Sequence, residues 1–191
     1  VVLNPTTIDT EQYHNQLKNQ NTEKVVIGWT GTHSTLKYVD RILPVLRRLA
    51  GEYANLEFLV IANKAPEFDL PRLRFVPWSK ETEIEDLLKI NIGVMPLTDD
   101  DWSKGKCGFK ALQYMALGIP ALVSPVGVNA DIVDNGVNGF LCDADDIWEN
   151  AMRCLIESPE LRAEMGIAGR EKVISRYSVS SNTSNFLSLF K

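Results

Sequence analysis

The 191-residue sequence is short of the residues that usually mark a catalytic centre. Its only histidines are His14 and His33, and neither has a sequence neighbour that would make it a general base or one of a metal-binding pair. No catalytic triad can be assembled. Cysteine is equally sparse. Cys107, Cys142 and Cys154 are odd in number and lack the close paired spacing of zinc sites and disulfide frameworks, which fits a reducing cytosol. No run approaches the roughly 20 consecutive apolar residues that span a bilayer. The first residues also lack the basic-then-apolar pattern of a signal peptide, so a soluble protein is expected. Basic charge is in deficit: 20 Lys and Arg face 25 Asp and Glu, giving a net charge of -5. With a sequence pI near 5.1, no basic face can dominate, which excludes nucleic acid as a partner. Internal repeats and low-complexity tracts are missing as well.

What is present is enough apolar material for one domain, with 45% hydrophobic side chains. Residues 1–13 read as a short apolar start followed by a loop composition, Asn4, Pro5, Thr6, Thr7 and Asp9. With the polar stretch that continues to Glu23, residues 1–23 are expected to be a linker entering from another domain. From Lys24 the pattern alternates between short apolar runs and helical periods. Val25, Val26, Ile27 and Trp29 predict a buried strand ending at Gly31. A helix capped by Ser34 or Thr35 should follow, with Lys37 in its first turn and Leu36, Val39, Leu43 and Leu46 as its core stripe. Pro44 would kink or break that helix.

Further strands are expected over 56–62, 73–76, 90–97, 121–123 and 139–142, with a helix over 81–89 between the third and fourth. A helix through Phe109, Leu112, Met115 and Ala116 should stop at Gly118 and Pro120. Two or three helices should finish the chain, one of them capped by Ser158 with Pro159 in its first position. Continuously apolar strands separated by helices imply an α/β fold, a doubly wound, Rossmann-like parallel sheet. Ligands of such sheets bind beyond the carboxyl ends of the strands, so the loops after Gly31, Val76, Leu97 and Ser124 are the places to search.

The most informative of these places is the segment Lys104, Gly105, Lys106, Cys107, Gly108, Phe109, Lys110, where a long loop hands over to a helix. Lysines near a helix N-terminus oppose its partial positive charge, and a bound anion would reverse that sign. The glycines let a ligand approach the backbone, and the N–H groups of residues 108–110 can face phosphate oxygens. The alternative is that these lysines simply extend into solvent. Gly31, Thr32, His33, Ser34 and Thr35 form a second strand-to-helix loop. It has neither the Gly-Lys-Ser/Thr ending of a Walker loop nor three-glycine spacing. Trp78, after the third strand, either stacks on a base or packs under a loop. Asp99, Asp100 and Asp101 are either metal ligands for a diphosphate or a solvated acidic loop.

Taken together, Gly31 with Lys37 six positions on, residues 106–120 (KCGFKALQYMALGIP) and residues 124–141 (SPVGVNADIVDNGVNGFL) resemble a known family. They are similar to the C-terminal domain of family 4 (group 1) GT-B glycosyltransferases. Residues 4–13 resemble that family's interdomain connection, and residues 158–177 its penultimate helix. The resemblance implies one half of a GT-B fold that binds a nucleoside diphosphate sugar without a metal or other cofactor. The acceptor would sit on an N-terminal domain of the same polypeptide, and transfer would retain anomeric configuration. It places Lys37 on the diphosphate and Thr32 where the family has an arginine, a charge that Lys106 or Lys110 can replace. Gly105 and Gln113 stand at the positions of two glutamates that hold the sugar hydroxyls and the ribose. Val126 and Gly127 fall in a turn that lies near the nucleotide or is purely structural.

The expected function is hexosyl transfer to a glycan or lipid acceptor in bacterial-type surface polysaccharide synthesis. The full protein would be cytoplasmic, with peripheral contact at the inner face of the membrane. The chain alone would bind donor without efficient transfer. Two other readings stand beside it: a non-catalytic binding or scaffold domain, motivated by Gly105 and Gln113, and a nucleotide-sugar epimerase of the same architecture.

Overall fold

The computed structural model describes residues 4–190. The apolar start at residues 1–3, read above as the head of a linker, lies outside them. Six strands carry the fold: β1 (Val25–Gly31), β2 (Leu56–Ala62), β3 (Leu73–Pro77), β4 (Ile92–Met95), β5 (Ala121–Val123) and β6 (Gly139–Leu141). All five pairings are parallel, in the order β3-β2-β1-β4-β5-β6. The chain therefore winds outward from β1 in one direction and from β4 in the other. The expected doubly wound sheet is observed, with its topological switch between β1 and β4.

The helices are α1 (His33–Leu36), α2 (Leu43–Glu52), α3 (Glu83–Leu87), α4 (Asp101–Lys104), α5 (Phe109–Ala116) and α6 (Asn129–Ile132). They are followed by α7 (Asp145–Glu157), α8 (Pro159–Lys172), a π-helical turn at Val173–Tyr177 and α9 (Val179–Ser188). Both faces of the sheet are covered. Alternate residues of β1 and β2 serve opposite cores: Val25, Ile27, Trp29, Phe58 and Val60 pack with α2 and α7. Val26, Leu59 and Ile61 pack with Leu87 of α3 and with Leu112 and Met115 of α5.

The sequence expectations fail mainly at element ends. Strand β4 and helix α3 are each shorter than expected, because Asn91 and Leu97 already make loop hydrogen bonds and α3 closes after one turn and a half. The helix after β1 is broken as Pro44 requires. A 3-10 turn at Val39–Ile42 separates α1 from α2, and the proline sits at the start of α2, where its missing N–H costs least. Thr32, and not Ser34 or Thr35, occupies the cap position of α1, and Lys37 closes that helix instead of opening it. Ser158 does cap α8, accepting from the Leu161 N–H at 3.1 Å. The described part of the expected linker lies against the domain. Ile8 is buried and exchanges backbone hydrogen bonds with Tyr177 and Val179, and Gln20 is buried against Asn91 and Arg162.

At the switch point β1 and β4 pair over only two positions, Ile27 with Ile92 and Gly28 with Gly93. Beyond them the strands part, and a side chain of α5 takes over. The Tyr114 hydroxyl accepts from the Thr30 N–H at 3.1 Å and donates to the Val94 carbonyl at 3.4 Å. Its ring lies over Gly93, where a Cβ would fall 2.4 Å from ring atoms. Gly93→Ala is therefore expected to destabilise the fold by about 1–3 kcal/mol through overpacking. Gly51→Ala, in α2 with open space around it, is expected to add about 0.5–1 kcal/mol. Urea unfolding of both variants checks the opposite signs.

Candidate functional site

Where β1 and β4 diverge, a cavity of about 480 Å³ opens beyond the carboxyl ends of the strands. Its floor is Thr30 and Gly31 of β1 with Met95 of β4, and one wall is the segment from Gly105 to Lys110 with Gln113. Helix α5 starts at this wall. Gly108 is its N-terminal boundary residue at φ 69°, a left-handed conformation that favours glycine, and no side chain caps the helix. A Cβ there would also strike Ile132 at 2.2 Å. The first intrahelical bond runs from the Leu112 N–H to the Gly108 carbonyl, so the N–H groups of Phe109, Lys110 and Ala111 have no intrahelical acceptor.

Two lysines, Lys106 and Lys110, stand at this helix end without an ion-pair partner among the described residues. Lys110 crosses the end of β1, its Nζ 5.5 Å from the Trp29 ring centroid, through space that exists because residue 31 is glycine. Lys106 lies 5.5 Å from the Tyr38 ring and 5.7 Å from the Trp102 ring, and Lys37 also lies 5.5 Å from Tyr38. Aromatic faces thus support Lys106 and Lys110 without an acidic partner, whereas the Lys37 charge acts on Asp100. Burial, and then the neighbouring Lys106 charge, push the Lys110 ammonium down from 10.5 to about 8. Lys104 behaves differently, extending to solvent and pairing with Asp99 at 3.0 Å. It ends α4, so it is not one of the lysines at the start of α5.

The other sequence candidates separate into groups. Gly31, Thr32, Gly105, Gly108, Phe109, Gln113 and Trp78 line the cavity with Lys106 and Lys110. Lys37 and His33 lie instead in a neighbouring depression with Asp40 and Glu67, the His33 backbone N–H donating to Asn63. Val126 is buried, and Gly127, at φ 59°, makes a turn against the Lys104 carbonyl, so neither lines this cavity. Asp100 caps α4 by accepting from the Ser103 N–H at 2.7 Å, and Asp99 pairs with Lys104, which accounts for two residues of the acidic loop. No group of three or more His, Cys, Asp or Glu among the described residues is placed to hold a metal. Gly105 has φ -76° and its nearest foreign atom would be 3.5 Å from a Cβ, so the backbone does not require glycine there.

Sequence reasoning missed Glu83. It opens α3 and enters the cavity wall, where its Oε1 accepts from Trp78 Nε1 at 2.9 Å and from Gln113 Nε2 at 3.2 Å. Nothing in the local pattern distinguishes it from Glu81 or Glu85. Only the fold brings β3's exit loop, α3 and α5 together.

A parallel sheet with a cationic cavity at its switch point, fronted by a helix N-terminus, defines a Rossmann-like domain whose cavity is suited to an anion. The family described as glycosyl transferases group 1 matches residues 9–172, and the chain belongs to that family. Human alpha-1,3/1,6-mannosyltransferase ALG2 is 32% identical over 77 residues, which is 40% of this chain and 18% of that protein. The chain therefore matches less than a fifth of that curated relative's length. Among solved structures, the C-terminal domain of a group 1 glycosyl transferase from Francisella tularensis superposes with a TM-score of 0.68 at 17% identity. That comparison covers 90% of this chain and 99% of the other. The Anabaena protein HepE, solved in complex with UDP-glucose, gives a TM-score of 0.73 at 16% identity, covering all of this chain and 57% of its own. These two likenesses establish the GT-B Rossmann-like fold.

The lowered Lys110 value has a measurable sign. An anion needs the ammonium form, which the free protein loses as pH rises through about 8. Affinity for inorganic pyrophosphate, taken relative to Lys110→Met to cancel the ligand's own ionisation, should fall about tenfold between pH 7 and pH 9. The same shift means that burying the charged lysine opposes folding fully below pH 8, and that this opposition fades between about 8 and 10.5. The stability gained by Lys110→Met at neutral pH should disappear over that window. A flat difference in either titration would contradict the assignment.

Proposed function

We propose that this chain is the C-terminal, donor-binding domain of a two-domain retaining GT-B glycosyltransferase of family 4. Residues 24–191 form the nucleotide-sugar domain, and residues 1–23 are the connection to an N-terminal acceptor domain of the same polypeptide. The observation that carries this reading is the pair Lys106 and Lys110, which line the cavity at the free N-terminus of α5 without an ion-pair partner among the described residues. Such an arrangement is costly without an anion and suits a diphosphate. The reaction class is hexosyl transfer to a glycan or lipid acceptor. Fixed cations and N–H dipoles stabilise the departing nucleoside diphosphate, a service that calls for no metal. Family membership and the nucleotide-sugar complex of HepE support the reading. The acceptor and the groups nearest the reacting carbon belong to the other domain, so residues 1–191 alone bind donor without efficient turnover.

In the full protein this domain works in the cytoplasm, with peripheral contact at the inner membrane face. No helix among the described residues is long and apolar enough to cross a membrane. The open space beside Gly105 favours a second reading, a GT-B domain that binds nucleotide but no longer holds a sugar.

Calorimetric titration with UDP, GDP, ADP and CDP distinguishes the readings. One diphosphate is expected to bind, and the double variant Lys106→Ala, Lys110→Ala should weaken it by about a hundredfold, the loss of two charge-assisted contacts. Equal binding of the nucleotide and its sugar conjugate would favour the second reading. No binding by the folded chain would defeat the donor-site proposal altogether.

A further inference from the structure

The cavity is electrostatically two-ended. Lys106, Lys110 and the start of α5 occupy one end, whereas Glu83 is the only carboxylate among its described lining residues. Glu83 makes no ion pair among the described residues, and its donors, the Trp78 indole, the Gln113 amide and the nearby Tyr13 phenol, are all neutral. Tyr13 is close by, its phenol held above the usual range by burial and then by the Glu83 charge. The carboxylate's charge is thus oriented but not cancelled. An ionised carboxylate offers about four acceptor sites, and the indole and the amide share one oxygen.

The two ends are linked by α5 itself. Lys110 and Gln113 are three residues apart on one helix face, so the cationic contact and the Gln113–Glu83 contact are separated by about 4.5 Å of helix rise. A free phosphate or sulfate fits only the cationic end, because the other end repels it. A ligand that satisfies both carries negative charge at one end and a pair of hydroxyl donors a few ångströms away. Trp78, 46% exposed and tethered through its Nε1, offers an aromatic face next to that second position.

Resting on the donor-site reading, we infer that Glu83 is the acceptor for the ribose hydroxyls of a bound nucleoside diphosphate, positioned by Trp78 and Gln113. This also gives Gln113 its chemistry. A second carboxylate 3.2 Å from Glu83 Oε1 would repel it, whereas the amide donates to it and holds it in place. The acidic acceptor of this site is supplied by α3, and α5 supplies its brace.

The test is calorimetry with whichever of UDP, GDP, ADP and CDP binds, its 2′,3′-dideoxy form, and inorganic pyrophosphate. The probes are applied to the unsubstituted chain, Glu83→Met and Glu83→Gln. In the unsubstituted chain, removing both hydroxyls should weaken binding by about tenfold or more, the worth of a hydrogen bond to a charged group. That penalty should vanish in Glu83→Met and fall to about threefold in Glu83→Gln. Pyrophosphate should bind all three proteins alike, which also shows that the variants are folded. If Glu83→Met loses pyrophosphate binding, the isosteric Glu83→Gln variant decides. An unchanged dideoxy penalty in a variant that still binds pyrophosphate overturns the assignment of Glu83 and leaves the donor site standing. Failure of every nucleoside diphosphate to bind the unsubstituted chain overturns both.

Discussion

The Tyr114 hydroxyl, seated between the Thr30 N–H and the Val94 carbonyl, is the contact on which the site depends. Parallel strands that diverge leave backbone groups unpaired, and burying such groups without partners costs several kcal/mol. Here one side chain satisfies a group from each strand, so β1 and β4 can separate without leaving either group unsatisfied. Burial pushes the Tyr114 phenol far above its usual range, which keeps it a neutral donor and acceptor at every physiological pH. Because Tyr114 belongs to α5, the contact also fixes where that helix begins. Gly93 underneath is what allows the ring so close to the sheet. The cavity floor, the helix N-terminus and Lys110, one turn upstream of Tyr114, are set by the same interaction.

The cations at this helix end illustrate how a candidate binding site departs from the rules that stabilise a fold. Elsewhere charges are paired in the ordinary way, as where Arg153 bridges Glu52 and Glu149 to join α2 and α7. In the cavity, Lys106 and Lys110 rest instead on Tyr38, Trp102 and Trp29. An aromatic face attracts an ammonium by about 0.5–2 kcal/mol and leaves it able to meet an anion. A carboxylate there would have filled the role of the ligand.

Much of the fold was legible because its signals are local. Continuous apolar runs gave the strands and their class, and Pro44 and Ser158 marked a helix break and a helix start through backbone chemistry alone. The lysine and glycine segment before α5 was legible for the same reason, since a misplaced charge at a helix end is visible in one dimension. Element ends were less so. The shortness of β4 follows from tertiary hydrogen bonds, Val26 N–H to the Asn91 side chain and Leu97 N–H to Ser124, that no window of sequence contains. The positions of His33, Val126 and Gly127 relative to the cavity depend on which way a loop turns as it leaves its strand.

Glu83 belongs to the part that local reading does not reach, and the reason is physical. A carboxylate in an exposed-looking first helical turn is explained by the helix dipole alone, so its sequence context raises no question. The question arises one helix away, at Gln113, where the family resemblance leads one to expect an acid and the chain supplies an amide. Taken singly, that difference reads as a loss of binding chemistry. Taken with the 3.2 Å contact to Glu83, it is a redistribution: one negative charge remains at this end of the cavity, carried by a different helix, and the amide that replaced the other acid has become its support. Because two carboxylates at that distance cannot both stay ionised, acid at 83 and amide at 113 form a single electrostatic solution. Gly105 differs in kind, since nothing in the backbone or its surroundings takes over what a side chain there would do. On the proposed donor-site reading, the nucleotide end of the site is thus rebuilt, while the sugar end is opened.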